Sequence, residues 1–169
     1  MDILSVKSWV FDRTVAELEG FGIKIVAEHS ELNKPWGSYL RIAEESVPQF
    51  YSAYWNGIEV PSPSPSLKLD PKILIVQPGM PLSLQYHHRR REHWRVLDGP
   101  VKIVIGTDNN NLESRVYNPG DVIRLTCGEW HRLVGMDSWG KIAEIWEHVD
   151  ASNPSDENDI VRVEDMFGR

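Results

Sequence analysis

The chain has 169 residues with 18 Lys plus Arg, 25 Asp plus Glu and six His, a formal charge of −7. That length suffices for one compact domain burying roughly 70% of the surface its unfolded form exposes, and 41% hydrophobic residues exclude a disordered chain. The acidic balance argues against nucleic acid or an anionic membrane as partner. The lone Cys127 excludes an internal disulfide, and with no apolar run of signal-peptide or membrane-spanning type a cytoplasmic location is expected.

Asp12 to Gly20 reads as a short helix, with Asp12 as N-cap and Gly20 as terminator. Ile23, Ile25 and Ala27 alternate over 21–27 with the period of a half-buried strand. From Trp36 on, alternating or β-branched runs at 38–43, 50–55, 72–77, 82–87, 92–97, 101–105, 114–117, 121–125, 131–134 and 141–149 are separated by Gly, Pro, Asn and Asp. No long helical pattern lies between them, so the expectation is all-β: antiparallel sheets closing into a barrel, not a βαβ design. Residues 1–33 stand apart as an N-terminal extension with a short helix and a strand, and 34–169 form the barrel with its C-terminal tail. The proline-rich stretch 61–66 reads as an extended loop, 108–111 as a hairpin tip and 153–156 as a loop before the tail.

Gln85, His87 and Glu92 lie close together in sequence, and His131 follows one hairpin later. Residues two apart on a strand share a face, so Gln85 and His87 point into the barrel, and Glu92, opening the next strand, faces them. Two imidazole nitrogens, a carboxylate and an amide oxygen suit one divalent ion of borderline type: Zn first, with Mn, Co, Ni or Fe as alternatives.

Gly79, Gln85-Tyr86-His87, Glu92 and Gly99 follow the first motif of the cupins, with Gln in place of its first His, and Gly128 and His131 match the second, where Thr126 and Gly135 replace the usual Pro and Asn. The chain resembles, more closely, the type II mannose-6-phosphate isomerase family over 34–169. Its markers are Lys34-Pro35-Trp36-Gly37-Ser38-Tyr39, Leu82-Ser83-Leu84-Gln85 through Glu92-His93-Trp94, and the ending Asp159-Ile160-Val161-Arg162 to Gly168-Arg169. The resemblance implies a cupin-type double-stranded β-helix, or jelly roll, and a metal-dependent aldose–ketose isomerase interconverting mannose 6-phosphate and fructose 6-phosphate. The 33 residues before the barrel are too few for a nucleotidyltransferase domain, so nucleotide-sugar synthesis is not expected.

An isomerase of this kind needs a base and a positive centre for the enediolate. His93, Lys102 and a metal-bound water are the candidate bases, although Lys102 alternates with Val101 and Ile103 and so also reads as an outward residue. For the sugar phosphate, Arg90 and Arg132 offer guanidinium donors and Trp94 an apolar wall. The resemblance adds Arg169, whose family counterpart ends the chain and is expected to fold back onto substrate. Three other readings stay open: an isomerase of a free sugar or another phosphosugar, a non-catalytic sugar-binding cupin, and a metal-dependent dioxygenase. Exposed strand edges allow a homodimer.

Overall fold

The computed structural model describes residues 3–62, 64 and 67–168. It opens with α1 (Ile3–Gly20), which begins well ahead of the Asp12 cap expected from sequence. Asp12 sits inside the helix, accepting from Ser8 Oγ at 3.3 Å, and Val10, Phe11 and Val15 pack on a buried cluster built around Leu18, Phe50, Ile73 and Ile145. Tertiary burial extends the helix ahead of its local start signal. The helix ends at Gly20 as expected, and the closing bonds fall just beyond it: Ile23 N–H donates to Leu18 O at 2.9 Å and Gly22 N–H to Glu19 O at 2.9 Å, the paired closure of a Schellman motif. Gly22 takes the required φ of 70°. The expected strand over 21–27 does not form, because this closure occupies its first residues; one isolated bridge, Ile25 to Ile42, remains.

The second correction is at 50–55. Its aromatic residues form α2 (Val47–Tyr54), with Pro48 in the first turn and Val47, Phe50 and Tyr54 buried. Their i, i+3, i+7 spacing is helical, and proline's fixed φ suits the first turn. Of the proline-rich stretch, Pro63, Pro65 and Ser66 lie outside the described residues.

The other strand expectations hold: β2 (Gly37–Arg41), β3 (Leu69–Val76), β4 (Leu84–His87), β5 (Arg90–Asp98), β6 (Val101–Gly106), β7 (Leu112–Tyr117), β8 (Val122–Leu125), β9 (Trp130–Gly135) and β10 (Gly140–His148). Two strands were not anticipated, β1 (Glu31–Lys34) and β11 (Ile160–Glu164). One sheet runs β1-β2-β3-β10-β5-β8 and the other β11-β4-β9-β6-β7, paired antiparallel throughout. They face each other as an all-β jelly roll around Trp36, Leu74, Val76, Trp94, Ile103, Leu133 and Ile142.

The six-stranded sheet is buried on both faces. On β3, Leu74 and Val76 face the barrel interior, whereas Ile73 and Ile75 meet α1 and α2. Tyr54 Oη donates to Glu17 Oε1 at 2.8 Å, and Lys141 Nζ lies 2.7 Å from Glu17 Oε2, which ties α1 to α2 and to β10. Gly135 allows the backbone at Gln77 to approach so closely that a Cβ there would overlap the Gln77 carbonyl.

Candidate metal centre and cavity

His87, Glu92 and His131 converge inside one end of the barrel, with ligand atoms all within 4.8 Å of one another and each side chain almost fully buried. Alternation along the strands puts them there: Gln85 and His87 point inward from β4, Arg90, Glu92 and Trp94 from β5, and His131 from β9. Glu92 Oε1 lies 3.2 Å from His87 Nε2, and Glu92 Oε2 lies 3.4 Å from His131 Nε2. Gln85 is the register partner of His131, and its Oε1 accepts from Ser83 Oγ at 2.8 Å.

The donor set fits a divalent cation. His131 Nδ1–H donates to the Glu129 carbonyl at 2.9 Å, which fixes the tautomer and leaves Nε2 as a bare lone pair. That atom is buried and has no hydrogen-bond partner among the described residues, an unmet acceptor of the kind a bound cation satisfies. Burial pushes the His87 imidazole below its ordinary value, opposed in part by Glu92, so the ring is held neutral as a ligand must be. Burial alone would raise the Glu92 carboxyl, but the Arg90 guanidinium against it outweighs burial and holds the group well below the usual carboxylate range.

Arg90 is 1% exposed, and its donors are committed. Nε donates to Glu92 Oε1 at 2.7 Å, Nη1 to Ser155 Oγ at 2.9 Å and Nη2 to His87 Nε2 at 3.0 Å, while the guanidinium stacks 3.4 Å over the Trp146 ring. It therefore neutralises Glu92 and, contrary to expectation, is not a free phosphate donor; coordination through His87 Nε2 would require it to release that atom.

Gln85, Arg90, Glu92 and Trp94 line a cavity that opens from this centre, together with Lys34, Trp36, Tyr39, Lys72, Glu144, Trp146, Glu157 and Arg162. Trp94 Nε1 donates to Glu92 Oε2 at 3.1 Å and to Glu144 Oε1 at 3.0 Å, linking the His–Glu cluster to a second buried carboxyl. Burial, followed by repulsion from Glu92, raises Glu144 to about 7. Lys72 is lowered to about 8 by burial, with Glu144 opposing, and its Nζ stands 2.9 Å over the Trp146 ring.

Three expected site residues lie elsewhere. His93 alternates with Glu92 and Trp94 and faces the other side of the sheet, where Nε2 meets Glu147 Oε2 at 2.8 Å. Lys102 lies between the inward Val101 and Ile103, both fully buried, so it takes the outward position. Arg132 alternates with His131 and Leu133 and pairs on the outside with Glu164 Oε2 at 2.7 Å. Arg169 lies outside the described residues. Lys72, Glu144 and Arg162 were missed, although Glu144 interrupts the apolar run 142–146 and Lys72 leads directly into the apolar run 73–76, in strands buried on both faces. A wider groove beside α1 holds Glu17, Asp98 and Lys141, but Lys141 already pairs with both acids. Among the described residues no helix is long and apolar enough to cross a membrane.

Among curated proteins, the chain is 30% identical over 141 residues to the mannose-1-phosphate guanylyltransferase ManC of Salmonella typhimurium, covering 83% of this chain and 23% of that protein. It is 29% identical over 155 residues to the alginate biosynthesis protein AlgA of Pseudomonas aeruginosa, covering 92% and 26%. The chain thus spans about a quarter of the length of these relatives. Among solved structures, oxalate decarboxylase from Bacillus subtilis matches with a TM-score of 0.57 at 16% identity over 80% of this chain and 30% of that one. The capsular polysaccharide assembling protein CapF of Staphylococcus aureus matches at 0.54 and 15% identity over 85% and 33%, and both show the shared cupin fold. The family model described as mannose-6-phosphate isomerase C-terminal matches residues 55–165, and the chain belongs to that family.

Proposed function

We propose that the chain is a metal-dependent aldose–ketose isomerase acting on a hexose phosphate, mannose 6-phosphate to fructose 6-phosphate. The observation that carries this reading is the pairing, in one cavity, of a His87–Glu92–His131 centre with a separate buried carboxyl, Glu144, raised to about 7. Isomerisation needs both, a positive centre for charge on the sugar oxygens and a base for the carbon-bound proton.

His87, Glu92 and His131, with Gln85 beside them, would hold one divalent ion, and Zn suits this N/O set best. When bound, it supplies Lewis acidity toward the carbonyl and hydroxyl oxygens of the open-chain sugar. Glu144 is the base. It accepts from the neutral Trp94 indole, and burial with repulsion from Glu92 outweighs the pull of Lys72 and Arg90, so its ionised form stays basic. A Glu144 oxygen takes the proton from C2 of the aldose and returns it to C1, and the O2 hydroxyl proton is transferred to O1, so no net proton is consumed. Lys72, on the neighbouring strand, presents its ammonium to the same space and favours the developing oxyanion. Trp36, Trp94 and Trp146 line the wall and exclude water.

The test is isomerisation of mannose 6-phosphate in D2O followed by NMR. A carboxylate carrying the proton exchanges it with solvent, so deuterium at C1 of fructose 6-phosphate supports the reading. Wild-type turnover in Glu144→Gln would remove Glu144 as carrier, and absence of product from the wild-type protein would remove the reaction.

A further inference from the structure

The cavity has two kinds of cation. Arg90 and Lys72 lie at its base, buried at 1% and 8% exposure. Lys34 and Arg162 lie at its mouth, with side chains 29% and 28% exposed. They come from opposite sheets, Lys34 from the end of β1 and Arg162 from β11, and both line the cavity.

Arg162 is the register partner of Gln85, and Ile160 that of His87. Because Gln85 and His87 point inward, Arg162 also points into the barrel, directly beside the metal centre. Its guanidinium is under-used. Nη2 reaches Glu157 Oε2 at 3.5 Å, the outer limit of a hydrogen bond, and Nε is buried with no partner among the described residues. Lys34 Nζ pairs at 2.8 Å with Glu31. Both carboxylates are more exposed than their cations, Glu31 at 44% and Glu157 at 75%, and each can turn to water at little cost.

We infer that Lys34 and Arg162 form the clamp for the phosphate of the substrate, which rests on the isomerase reading above and gives that site its selectivity for a phosphomonoester over a free sugar. A phosphate dianion is costly to strip of water, so it belongs at the half-exposed mouth and not beside Glu92 and Glu144 at the base, where two acids would repel it. A guanidinium with a free Nε edge and an ammonium on the facing wall match its oxygens. The sugar chain then extends inward between Tyr39, Trp36 and Trp146, with C1 and C2 at the buried end. Arg132, which the sequence offered for this task, faces the outside and pairs with Glu164.

Isothermal titration of metal-loaded protein with mannose 6-phosphate and with mannose, alongside steady-state kinetics, tests the clamp. For Arg162→Gln and Lys34→Gln the expected result is at least a tenfold weaker binding and higher KM for mannose 6-phosphate. Mannose binding should stay within twofold of wild type, and Arg132→Gln should behave as wild type toward both. Wild-type affinity for mannose 6-phosphate in both variants would overturn the clamp, as would equal loss for mannose and its phosphate. Binding of mannose 6-phosphate that depends on Arg162, in a protein that does not turn it over, would support the clamp while refuting the isomerase reading.

Discussion

Glu144 and Lys72 are register partners on adjacent antiparallel strands, so a buried carboxyl raised to about 7 and a buried amine lowered to about 8 face the same cavity. The neutral amide in Glu144→Gln keeps the shape and the Trp94 contact but cannot accept a carbon-bound proton. We expect kcat for mannose 6-phosphate to fall by about 10²- to 10⁴-fold, the usual worth of a positioned base, with metal content unchanged. The wild-type profile of kcat/KM should rise through pH 7 as Glu144 ionises and fall above pH 8 as Lys72 loses its charge. A flat profile between pH 6 and 9 would contradict these roles.

Removal of a ligand should remove the metal. In His87→Ala and His131→Ala the bound divalent ion, measured by elemental analysis after dialysis, should drop to well below one per chain while the fold is kept. Full stoichiometry in either variant would dissolve the site.

The outward residues make the converse prediction. Lys102→Ala and Arg132→Ala should leave kcat within about twofold of wild type, as surface substitutions away from a site do. His93→Ala breaks the contact with Glu147 and should cost stability without abolishing turnover. A thousandfold loss in any of the three would reinstate it as a reacting group.

These corrections show how far the sequence carries. Strand alternation, applied to Gln85, His87, Glu92 and His131, placed these four side chains on one interior surface because a period of two leaves no freedom once the face is known. The same rule, applied to neighbours of known inward residues, turns His93 and Arg132 outward; nearness in sequence to a ligand is the weaker guide. Lys72 and Glu144 stand out in sequence as charges in apolar strands, but that they face each other is visible only through tertiary pairing, since β3 and β10 lie far apart in the chain and meet in the six-stranded sheet. The helices were the least legible. Asp12 carries a cap-like signal that packing overrides, and the aromatic residues of 50–55, strand-like in composition, acquire helical meaning from the buried Phe50 and Tyr54.

Asp70 lies two residues before Lys72 on β3. Burial would raise its carboxyl, but the His148 imidazole at 2.7 Å and Arg41 at 3.1 Å outweigh it and hold the group below the ordinary carboxylate value. A depressed folded-state value adds stability that is fully present above the unfolded-state value and is lost as pH falls through the folded one. Asp70→Asn should therefore lower stability at pH 7 by about 2 kcal/mol, the scale of charge-assisted hydrogen bonds. Urea unfolding at pH 7 and at pH 3 should show the gap between variant and wild type narrowing at the lower pH; an equal gap at both would contradict the ion-paired assignment.

The measurement that bears most directly on the central claim is turnover of mannose 6-phosphate by protein stripped of metal and resupplied separately with Zn, Mn, Co, Ni and Fe. The stripped protein should form no fructose 6-phosphate, and formation should return with at least one ion and be lost again in His131→Ala. Equal turnover with and without metal, or none with any ion in protein shown to bind it, would contradict the assignment of this cavity as a metal-dependent isomerase site.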